Sequence, residues 1–226
     1  MDNQVVVIIP GYNESKNLKE LFSRIKKTGN YKILFVDDGS KDDSLKIAEE
    51  EGIQTLKMET NSGKGAAVRF ACDYACDVMK PRYIALIDGD LQHKPSDIPR
   101  FIEQLEDVHM DVVCGYRKFS VKMPPIKAFG NRGINFLFHL LFLTTYKDVL
   151  SGYKVFRADV YESIRWKAPR YNIEVEIASL IIKNKLKYKQ IPIETIYLDN
   201  NKGTTIFDGL KIGFHILKLR LGVVSL

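Results

Sequence analysis

The chain has 226 residues, of which 45% are hydrophobic and 27% are charged, and its formal net charge at pH 7 is +6. This length and apolar content can bury one substantial core, which excludes an intrinsically disordered chain. The positive charge is modest and the basic residues are spread along amphipathic segments, which does not favour a nucleic-acid-binding protein. A phosphate-bearing ligand or an anionic membrane surface explains the excess equally well.

Apolar runs and helical patterns alternate through the first half of the chain. Strands are predicted at the apolar runs, residues 5–9, 33–36, 53–57 and 83–87. Helices are predicted between them, at residues 18–25, 44–51 and 66–79. This rhythm predicts a mostly parallel, doubly wound α/β sheet, in which ligands bind beyond the carboxyl ends of the strands.

The second half of the chain is less regular. Further strands and helices are predicted in turn at residues 111–115, 127–143, 153–156 and 174–184. Residues 187–191 and 193–197 have the pattern of two edge strands separated by Pro192, which has no backbone N–H to donate. No linker or internal repeat divides the chain, so we expect a single domain.

Two features bear on the location of the protein. No basic segment followed by an apolar run and a small-residue cleavage site precedes the first strand, so a cytoplasmic protein is expected. From residue 206 apolar side chains recur at helical spacing beside Lys211, Lys218 and Arg220. This pattern predicts an amphipathic helix, which either lies at a membrane interface or packs on the domain.

The strongest chemical signal is the run from Asp88 to Gln92, directly after the fourth strand. Two carboxylates one residue apart, Asp88 and Asp90, repel each other unless a cation lies close to both. Mg²⁺ and Mn²⁺ prefer oxygen ligands and keep phosphate and water in their other positions, so these residues could hold a nucleotide diphosphate through a metal. The alternative is a turn in which the aspartates only accept backbone hydrogen bonds.

Two further polar runs end strands and are therefore expected at the same edge of the sheet. After the first strand, the Tyr12 ring could stack on a base and Glu14 could accept a hydrogen bond from a base or ribose, although a helix start explains the run as well. After the second strand, Asp38 could accept in the same way. Lys64 lacks the spacing of a nucleotide-triphosphatase phosphate loop, so we expect it to be a solvated lysine in a tight turn.

These segments occur in an order that resembles a known family. IIPGYNE, VDDGS, NSGKGAAV, DGDLQH, GYR and SGYKVFR, over about residues 5–157, resemble glycosyltransferase family 2, and within it the polyprenyl-phosphate (dolichyl-phosphate) mannose and glucose synthases. The resemblance implies a GT-A, Rossmann-like domain over residues 1–205 and a C-terminal amphipathic helix over residues 206–226. It also implies inverting, metal-dependent transfer of a hexose from a UDP- or GDP-sugar to a polyprenyl phosphate at the cytoplasmic face of a membrane.

The resemblance further implies the site residues. Contacts with the nucleotide sugar are implied for Pro10, Tyr12, Glu14, Val36, Asp38, Asp88, Gly89, Asp90 and Lys202. A Mg²⁺ or Mn²⁺ ion is implied at Asp88, Asp90 and Gln92. Arg117 and Arg132 are implied to hold the acceptor phosphate, whose oxygens suit guanidinium groups, and they would act with Asp88 and Asp90 as the catalytic residues. Lys202 is the single basic residue of residues 200–205, where the family commonly has an arginine and a lysine.

Two alternatives remain at this point. Transfer to a hydroxyl group of a cell-wall or surface glycan would require a carboxylate base, for which Asp148, Glu174 and Glu176 are the candidates. A non-catalytic nucleotide-sugar-binding subunit is the second alternative, and the intact pair Asp88 and Asp90 argues against it.

His93, which follows the aspartate run, is not expected to act on the substrate or metal.

Overall fold

The computed structural model describes residues 4–107, 109–117, 125–170, 172–196 and 206–222. The strands are β1 (Val5–Gly11), β2 (Lys32–Asp37), β3 (Gln54–Lys57), β4 (Tyr83–Leu86), β5 (Val112–Arg117), β6 (Lys154–Arg157) and β7 (Tyr188–Ile193). The helices are α1 (Ser15–Lys26), α2 (Ser44–Glu50), α3 (Lys64–Tyr74), α4 (Ile98–Asp107), α5 (Pro125–Phe142), α6 (Tyr161–Ile164), α7 (Ile173–Lys183) and α8 (Ile206–Leu221).

All seven strands form one sheet in the order β3-β2-β1-β4-β6-β5-β7. β1 pairs in parallel with β2 and β4, β2 with β3, and β5 with β7. β6 is antiparallel to both of its neighbours, β4 and β5. The prediction of a mostly parallel α/β sheet is confirmed.

Apolar residues cover both faces of the sheet. Along β1, Val6 and Ile8 belong to one buried cluster, with side chains of α3, α5, α7 and α8, whereas Val7 and Ile9 belong to the other, with side chains of α1, α2 and α4. Successive side chains of a strand point to opposite faces. Burial on both faces therefore explains why this strand is a continuous β-branched run rather than an alternating one.

The prediction of two edge strands around Pro192 is wrong. A single strand, β7, runs through Pro192 and pairs in parallel with β5, with Pro192 opposite Tyr116. β7 is an edge strand in the described part of the chain, and an edge tolerates a residue without a backbone N–H. Beyond it, Thr195 forms an isolated antiparallel bridge with His93, which brings this segment to the end of the aspartate run.

The helices α5 and α8 pack against each other, and the Arg220 guanidinium donates to the Leu141 carbonyl at 2.8 Å. On α8, Ile212, Ile216 and Leu219 are buried in the core. Other large apolar side chains of the two helices are exposed: Phe129, Phe136, Leu140, Leu210, Phe214 and Leu221. We call these six residues the α5–α8 apolar surface. Among the described residues no helix is long and apolar enough to cross a membrane.

Candidate active site

The loops that follow β1 and β2 are bonded to each other. The backbone N–H of Asn13 donates to Ser40 Oγ at 2.9 Å, and the N–H of Lys41 donates to Asn13 Oδ1 at 2.8 Å. The N–H of Asp38 donates to the Gly11 carbonyl at 2.9 Å. The polar runs after these two strands therefore form one surface at the carboxyl edge of the sheet, as the sequence predicts.

The residues implied to contact the nucleotide differ in accessibility. Tyr12 is 41% exposed, and Pro10 and Glu14 are half-buried beside it. The Val36 side chain is fully buried in the core, so only its backbone could contact a ligand. Lys202 lies outside the described residues.

Asp38 uses its carboxylate to hold the loop before α3. Its two oxygens accept hydrogen bonds from the backbone N–H groups of Ser62, at 2.7 Å, and Gly63, at 2.9 Å. The residue is 3% exposed. Its contact with a nucleotide stays a prediction, and the structure adds a role in fixing the glycine loop from which Lys64 projects.

Lys64 lies between two carboxylates at the bottom of the site. Its ammonium lies 2.6 Å from Asp88 Oδ1 and 2.7 Å from Glu174 Oε1. The expectation of a solvated lysine is therefore wrong, and three quarters of this side chain is covered. The reason lies in the tertiary structure: Glu174 is in the first turn of α7, far along the chain from Lys64, and only the fold brings the two together.

The charges in this trio stabilise one another. Burial favours the neutral form of Lys64, but Asp88 and Glu174 raise its pKa above the ordinary value. Burial likewise favours the protonated form of Asp88, yet the Lys64 ammonium holds the pKa of that carboxyl below its usual range. Asp88 is therefore an ionised group with a resident counter-ion.

Within the described residues no ion pair involves Asp90. Burial raises its pKa to about 6, and the Asp88 carboxylate adds to the shift, although the charge of Lys64 partly lowers the pKa. Its Oδ1 accepts from the backbone N–H of Gln92 at 3.0 Å. Carboxylate oxygens such as those of Asp90 are ligands that a hard divalent cation binds.

The assignment of Asp88, Asp90 and Gln92 as metal ligands therefore stays a prediction. Among the described residues, no group of three or more His, Cys, Asp or Glu side chains is arranged to hold a metal. Phosphate and water oxygens would have to complete the coordination.

Two glycines let the backbone approach this site closely. A Cβ atom on Gly152 would lie 2.9 Å from both Asp88 Oδ2 and Lys64 Nζ. On Gly89, it would lie 3.2 Å from the Pro10 carbonyl oxygen. A side chain at position 152 would displace the Lys64–Asp88 ion pair. This explains in physical terms why the residue before β6 at position 152 is a glycine.

His93 is a packing residue beside the carboxylates. It is 6% exposed, and its ring stacks on Tyr153 with 5.1 Å between centroids. Its Nδ1 lies 3.9 Å from Asp88 Oδ2. Burial lowers its pKa to about 4, so it is neutral at pH 7. The expectation that His93 has no direct chemical role stays a prediction.

Arg117, at the end of β5, is held by Asp148. Its Nε donates to Asp148 Oδ2 at 2.7 Å, its Nη2 to Oδ1 at 2.9 Å, and its backbone N–H to Oδ2 at 3.1 Å. Arg132 is an exposed residue of α5. The two predicted acceptor residues therefore lie on different elements, one fixed in a carboxylate fork and one accessible to solvent.

Glu176 has a structural role. Its Oε2 accepts hydrogen bonds from the backbone N–H groups of Lys167 and Ala168, both at 2.8 Å, and its Oε1 lies 3.2 Å from His215 Nε2 on α8. The side chain is 1% exposed. It therefore joins α7 to α8 and to the loop that packs on α3.

The sequence did not indicate two residues of this site, Lys64 as an ion-pair partner and Lys154. Lys154 is 1% exposed and donates to the Ser151 carbonyl, and burial lowers its pKa. It lines a cavity of about 10 Å³ with Lys64, Asp88 and Glu174. A lysine at the start of an apolar strand, two residues after Gly152, is the sequence signal that could have drawn attention to it.

Comparison with known proteins agrees with this architecture. Residues 6–165 match the sequence model of "Glycosyl transferase family 2". The chain therefore belongs to glycosyltransferase family 2, and it is a glycosyltransferase.

Three particular relatives show which members of the family are similar to this chain. The chain is 31% identical to the UDP-N-acetylglucosamine–dolichyl-phosphate N-acetylglucosaminyltransferase of Methanococcus voltae, over 99% of this chain and 98% of that protein. It is 32% identical to an uncharacterized protein of Methanocaldococcus jannaschii, over 97% and 93%. It is 30% identical to the dolichol-phosphate mannosyltransferase of Pyrococcus furiosus, over 95% of this chain and 64% of that protein.

Solved structures share the fold. The glucosyl-3-phosphoglycerate synthase of Mycobacterium tuberculosis, in complex with Mn²⁺, uridine diphosphate and glucosyl-3-phosphoglycerate, superposes with a TM-score of 0.75. That match covers 97% of this chain and 79% of that one, at 17% identity. The GT-A fold that the sequence implied is therefore confirmed.

Proposed function

We propose that this protein transfers a hexose from a UDP- or GDP-sugar to a polyprenyl phosphate, with inversion at the anomeric carbon and with Mg²⁺ or Mn²⁺ bound. The relatives from Methanococcus and Pyrococcus are named for transfer to dolichyl phosphate, which supports a lipid phosphate as the acceptor. The observation that carries the choice of a phosphate over a hydroxyl acceptor is the state of the three candidate bases.

Each candidate base already has partners. Asp148 accepts three hydrogen bonds from Arg117, and Glu174 is paired with the Lys64 ammonium at 2.7 Å. Glu176 is buried and accepts from two backbone N–H groups. An acceptor hydroxyl would have to displace these contacts to reach a carboxylate oxygen of any of the three. A hydroxyl acceptor needs a base, whereas a phosphate acceptor does not.

A phosphate monoester has a second pKa near 6, so its oxygens are largely ionised at neutral pH. One oxygen forms the new bond to the anomeric carbon as the bond to the nucleoside diphosphate breaks, and the electron pair of that bond leaves with the diphosphate. A single displacement of this kind inverts the configuration. Arg117 and Arg132 orient the acceptor phosphate, which is chiefly a positioning effect.

On the donor side, Asp88, Asp90 and Gln92 would hold the divalent cation, and the cation would neutralise charge on the departing diphosphate. Mn²⁺ and uridine diphosphate occur together in the Mycobacterium synthase structure, which supports the same class of cation here. Pro10, Tyr12, Glu14 and the loop of Asp38 surround the nucleotide.

The lipid is reached from a membrane surface. The α5–α8 apolar surface enters the headgroup region of the cytoplasmic leaflet, and Lys211 and Lys218 on α8 attract anionic lipid. Lys218 Nζ lies 4.8 Å from the centroid of the Phe214 ring, so charge and apolar surface lie side by side. In this proposal residues 206–226, which include α8, are the membrane-associating segment, and residues 1–205 are the catalytic domain.

The direct test is a product assay with purified protein, Mn²⁺, short polyprenyl phosphates and a panel of UDP- and GDP-hexoses. We expect a lipid-linked sugar from at least one donor, and none after Asp90→Asn. If no polyprenyl phosphate gives product while the protein still binds a nucleoside diphosphate with Mn²⁺, the acceptor assignment is wrong.

A further inference from the structure

Asp148 is a nearly buried carboxylate whose recorded hydrogen bonds come from one arginine. It is 5% exposed, and both of its oxygens face Arg117, with contacts of 2.7 Å to Nε and 2.9 Å to Nη2. The third contact, from the Arg117 backbone N–H, fixes the start of the arginine side chain as well as its end. A paired fork of this kind sets the plane of the guanidinium group, which a single contact does not.

The segment that carries Asp148 is itself fixed to α5. The Asn135 side chain bonds to both neighbours of Asp148, because its Nδ2 donates to the Lys147 carbonyl at 3.0 Å and its Oδ1 accepts from the Val149 N–H at 3.0 Å. The Lys147 N–H also donates to Gln190 Oε1 on β7 at 2.7 Å. Asp148 is therefore anchored to two elements before it contacts Arg117.

Asn135 lies three residues after Arg132, and residues at this spacing share one face of a helix. A chain of named contacts thus joins the backbone of α5 near Arg132 to the guanidinium of Arg117: from Asn135 to the segment around Asp148, and from Asp148 to Arg117. This connection fixes the position of one predicted acceptor arginine relative to the helix that carries the other.

We propose that Asp148 is the positioning residue of the acceptor site, and that it acts through Arg117 by holding its guanidinium ready for the acceptor phosphate. This inference rests on the proposed function. It assigns Asp148 no contact with the substrate and no proton transfer, in contrast to the base that a hydroxyl acceptor would require.

A preorganised arginine binds phosphate better than a free one, because a long side chain that is already ordered loses less conformational entropy on binding. The fork also leaves Asp148 with its charge compensated, which a nearly buried carboxylate requires. Replacement of Asp148 by asparagine keeps the shape of the side chain but turns one of its oxygens into an N–H₂ group that opposes Arg117. The guanidinium should then lose its fixed orientation.

The test is a double-mutant cycle with Arg117→Ala, Asp148→Asn and the combined variant. The readouts are KM for the polyprenyl phosphate, kcat, and affinity for the nucleoside diphosphate with Mn²⁺. We expect Asp148→Asn to raise the acceptor KM roughly 10- to 100-fold, the range that loss of a supporting contact gives, with donor-side affinity unchanged. In the Arg117→Ala background the same change should add less than about twofold, because residues that act as a unit are not additive.

A matched control is available in Asp73→Asn. Asp73 forms the same kind of fork with Arg165, with Nε–Oδ1 and Nη2–Oδ2 distances of 2.8 Å, but it lies on α3. The Asp73→Asn variant should change the stability of the protein without changing the acceptor KM. Asp148→Glu, which keeps the charge, serves if Asp148→Asn fails to fold, and it should raise the acceptor KM in an Arg117-dependent way.

The outcomes distinguish a positioning role of Asp148 from a role as a base and from general destabilisation. Additive effects of Asp148→Asn and Arg117→Ala, or a loss of kcat that persists without Arg117, would overturn the positioning role and favour a base. An equal rise of the acceptor KM in Asp73→Asn would show that the effect of Asp148→Asn is general destabilisation, and it would also overturn the positioning role. If the wild type makes no lipid-linked sugar, the proposed function fails first, and that result is distinct from product formation with an additive cycle.

Discussion

Lys64 is the residue whose role depends most on the tertiary structure. It lies between Asp88 and Glu174, and all three side chains are largely covered. A lysine in this position supplies positive charge to the site whether or not a metal is bound. The two carboxylates of the aspartate run are therefore unequal: Asp88 is paired with Lys64, whereas Asp90 has no ion pair among the described residues.

Replacement of Lys64 by methionine should lower the free energy of unfolding by about 2–4 kcal/mol, because it leaves two largely buried carboxylates without a counter-ion. Urea denaturation at pH 7 measures this. Lys46→Met is the matched control, since the Lys46–Glu50 pair is exposed on α2 and its loss should cost less than about 1 kcal/mol. Equal small effects in the two variants would mean that the Lys64 ion pairs do not stabilise the fold.

Asp90→Asn should have opposite effects on stability and on binding. A carboxyl group whose folded pKa is raised costs stability once pH exceeds its unfolded pKa, and the full cost is present above about pH 6. The metal-free variant should therefore be more stable than the wild type at pH 7, by roughly 1–2 kcal/mol. Thermal denaturation without metal measures the first effect, and calorimetry with a nucleoside diphosphate and Mn²⁺ should show that binding is lost. A variant that binds as well as the wild type contradicts the assignment of Asp90.

At the scale of elements, α7 connects the site to the C-terminal helix. Its first turn carries two carboxylates: Glu174 contacts Lys64, and Glu176 contacts His215 of α8 and the backbone of residues 167–168. The two side chains are two residues apart on one helix and therefore point in different directions. The first turn of α7 thus contributes both to the bottom of the active site and to the packing of α8 on the domain.

The contribution of Glu176 should depend on pH. Burial alone would raise its pKa, but the His215 nitrogen and the N–H groups of Ala168 and Lys167 lower it below the ordinary value of 4.5. A lowered carboxyl pKa stabilises the folded state above the unfolded pKa and loses that effect as pH falls through the folded pKa. Glu176→Gln should therefore cost about 1–3 kcal/mol at pH 7 and less below about pH 4, as measured by denaturant titration at both pH values.

The exposed Glu103→Gln on α4 is the control for that measurement, and it should change little at either pH. A cost for Glu176→Gln that is the same at pH 7 and below pH 4 would show that the glutamate acts through packing rather than charge.

The elements also show what the sequence could predict. The aspartate run was recognisable because Asp88, Asp90 and Gln92 are neighbours that follow an obvious strand, and a local pattern carries local chemistry. The roles of Lys64 and Asp148 were not recognisable, because their partners Glu174 and Arg117 lie far along the chain. The parallel pairing of β7 with β5 was missed for the same reason: Pro192 suggested a break, and only the position at the sheet edge explains why the strand continues.

For the whole molecule, the two faces of the sheet differ in what covers them. α1 and α2 cover one face, and α5 and α8 cover the other with the exposed apolar surface on their far side. Contact with a membrane is therefore expected from one side of the protein. The predicted acceptor arginines, Arg117 and Arg132, belong to β5 and α5, and α5 carries part of that apolar surface.

Charge reversal at Lys211 and Lys218 should weaken binding to anionic liposomes, since each basic residue near the surface contributes about 1 kcal/mol. Co-sedimentation at low and high salt measures the loss. Charge reversal at Lys16 and Lys46, on α1 and α2, changes net charge equally and should leave binding intact. Equal weakening by both pairs would show that net charge, not the α5–α8 apolar surface, controls association.

In the proposed function the acceptor is a lipid phosphate, for which no carboxylate base is needed. This can be measured with two acceptors that differ only in the phosphate, a polyprenyl phosphate and the corresponding polyprenol, with the same nucleotide sugar and Mn²⁺. We expect a glycosylated product from the phosphate alone. Glycosylation of the polyprenol or of a glycan hydroxyl, with no product from the phosphate, would contradict it.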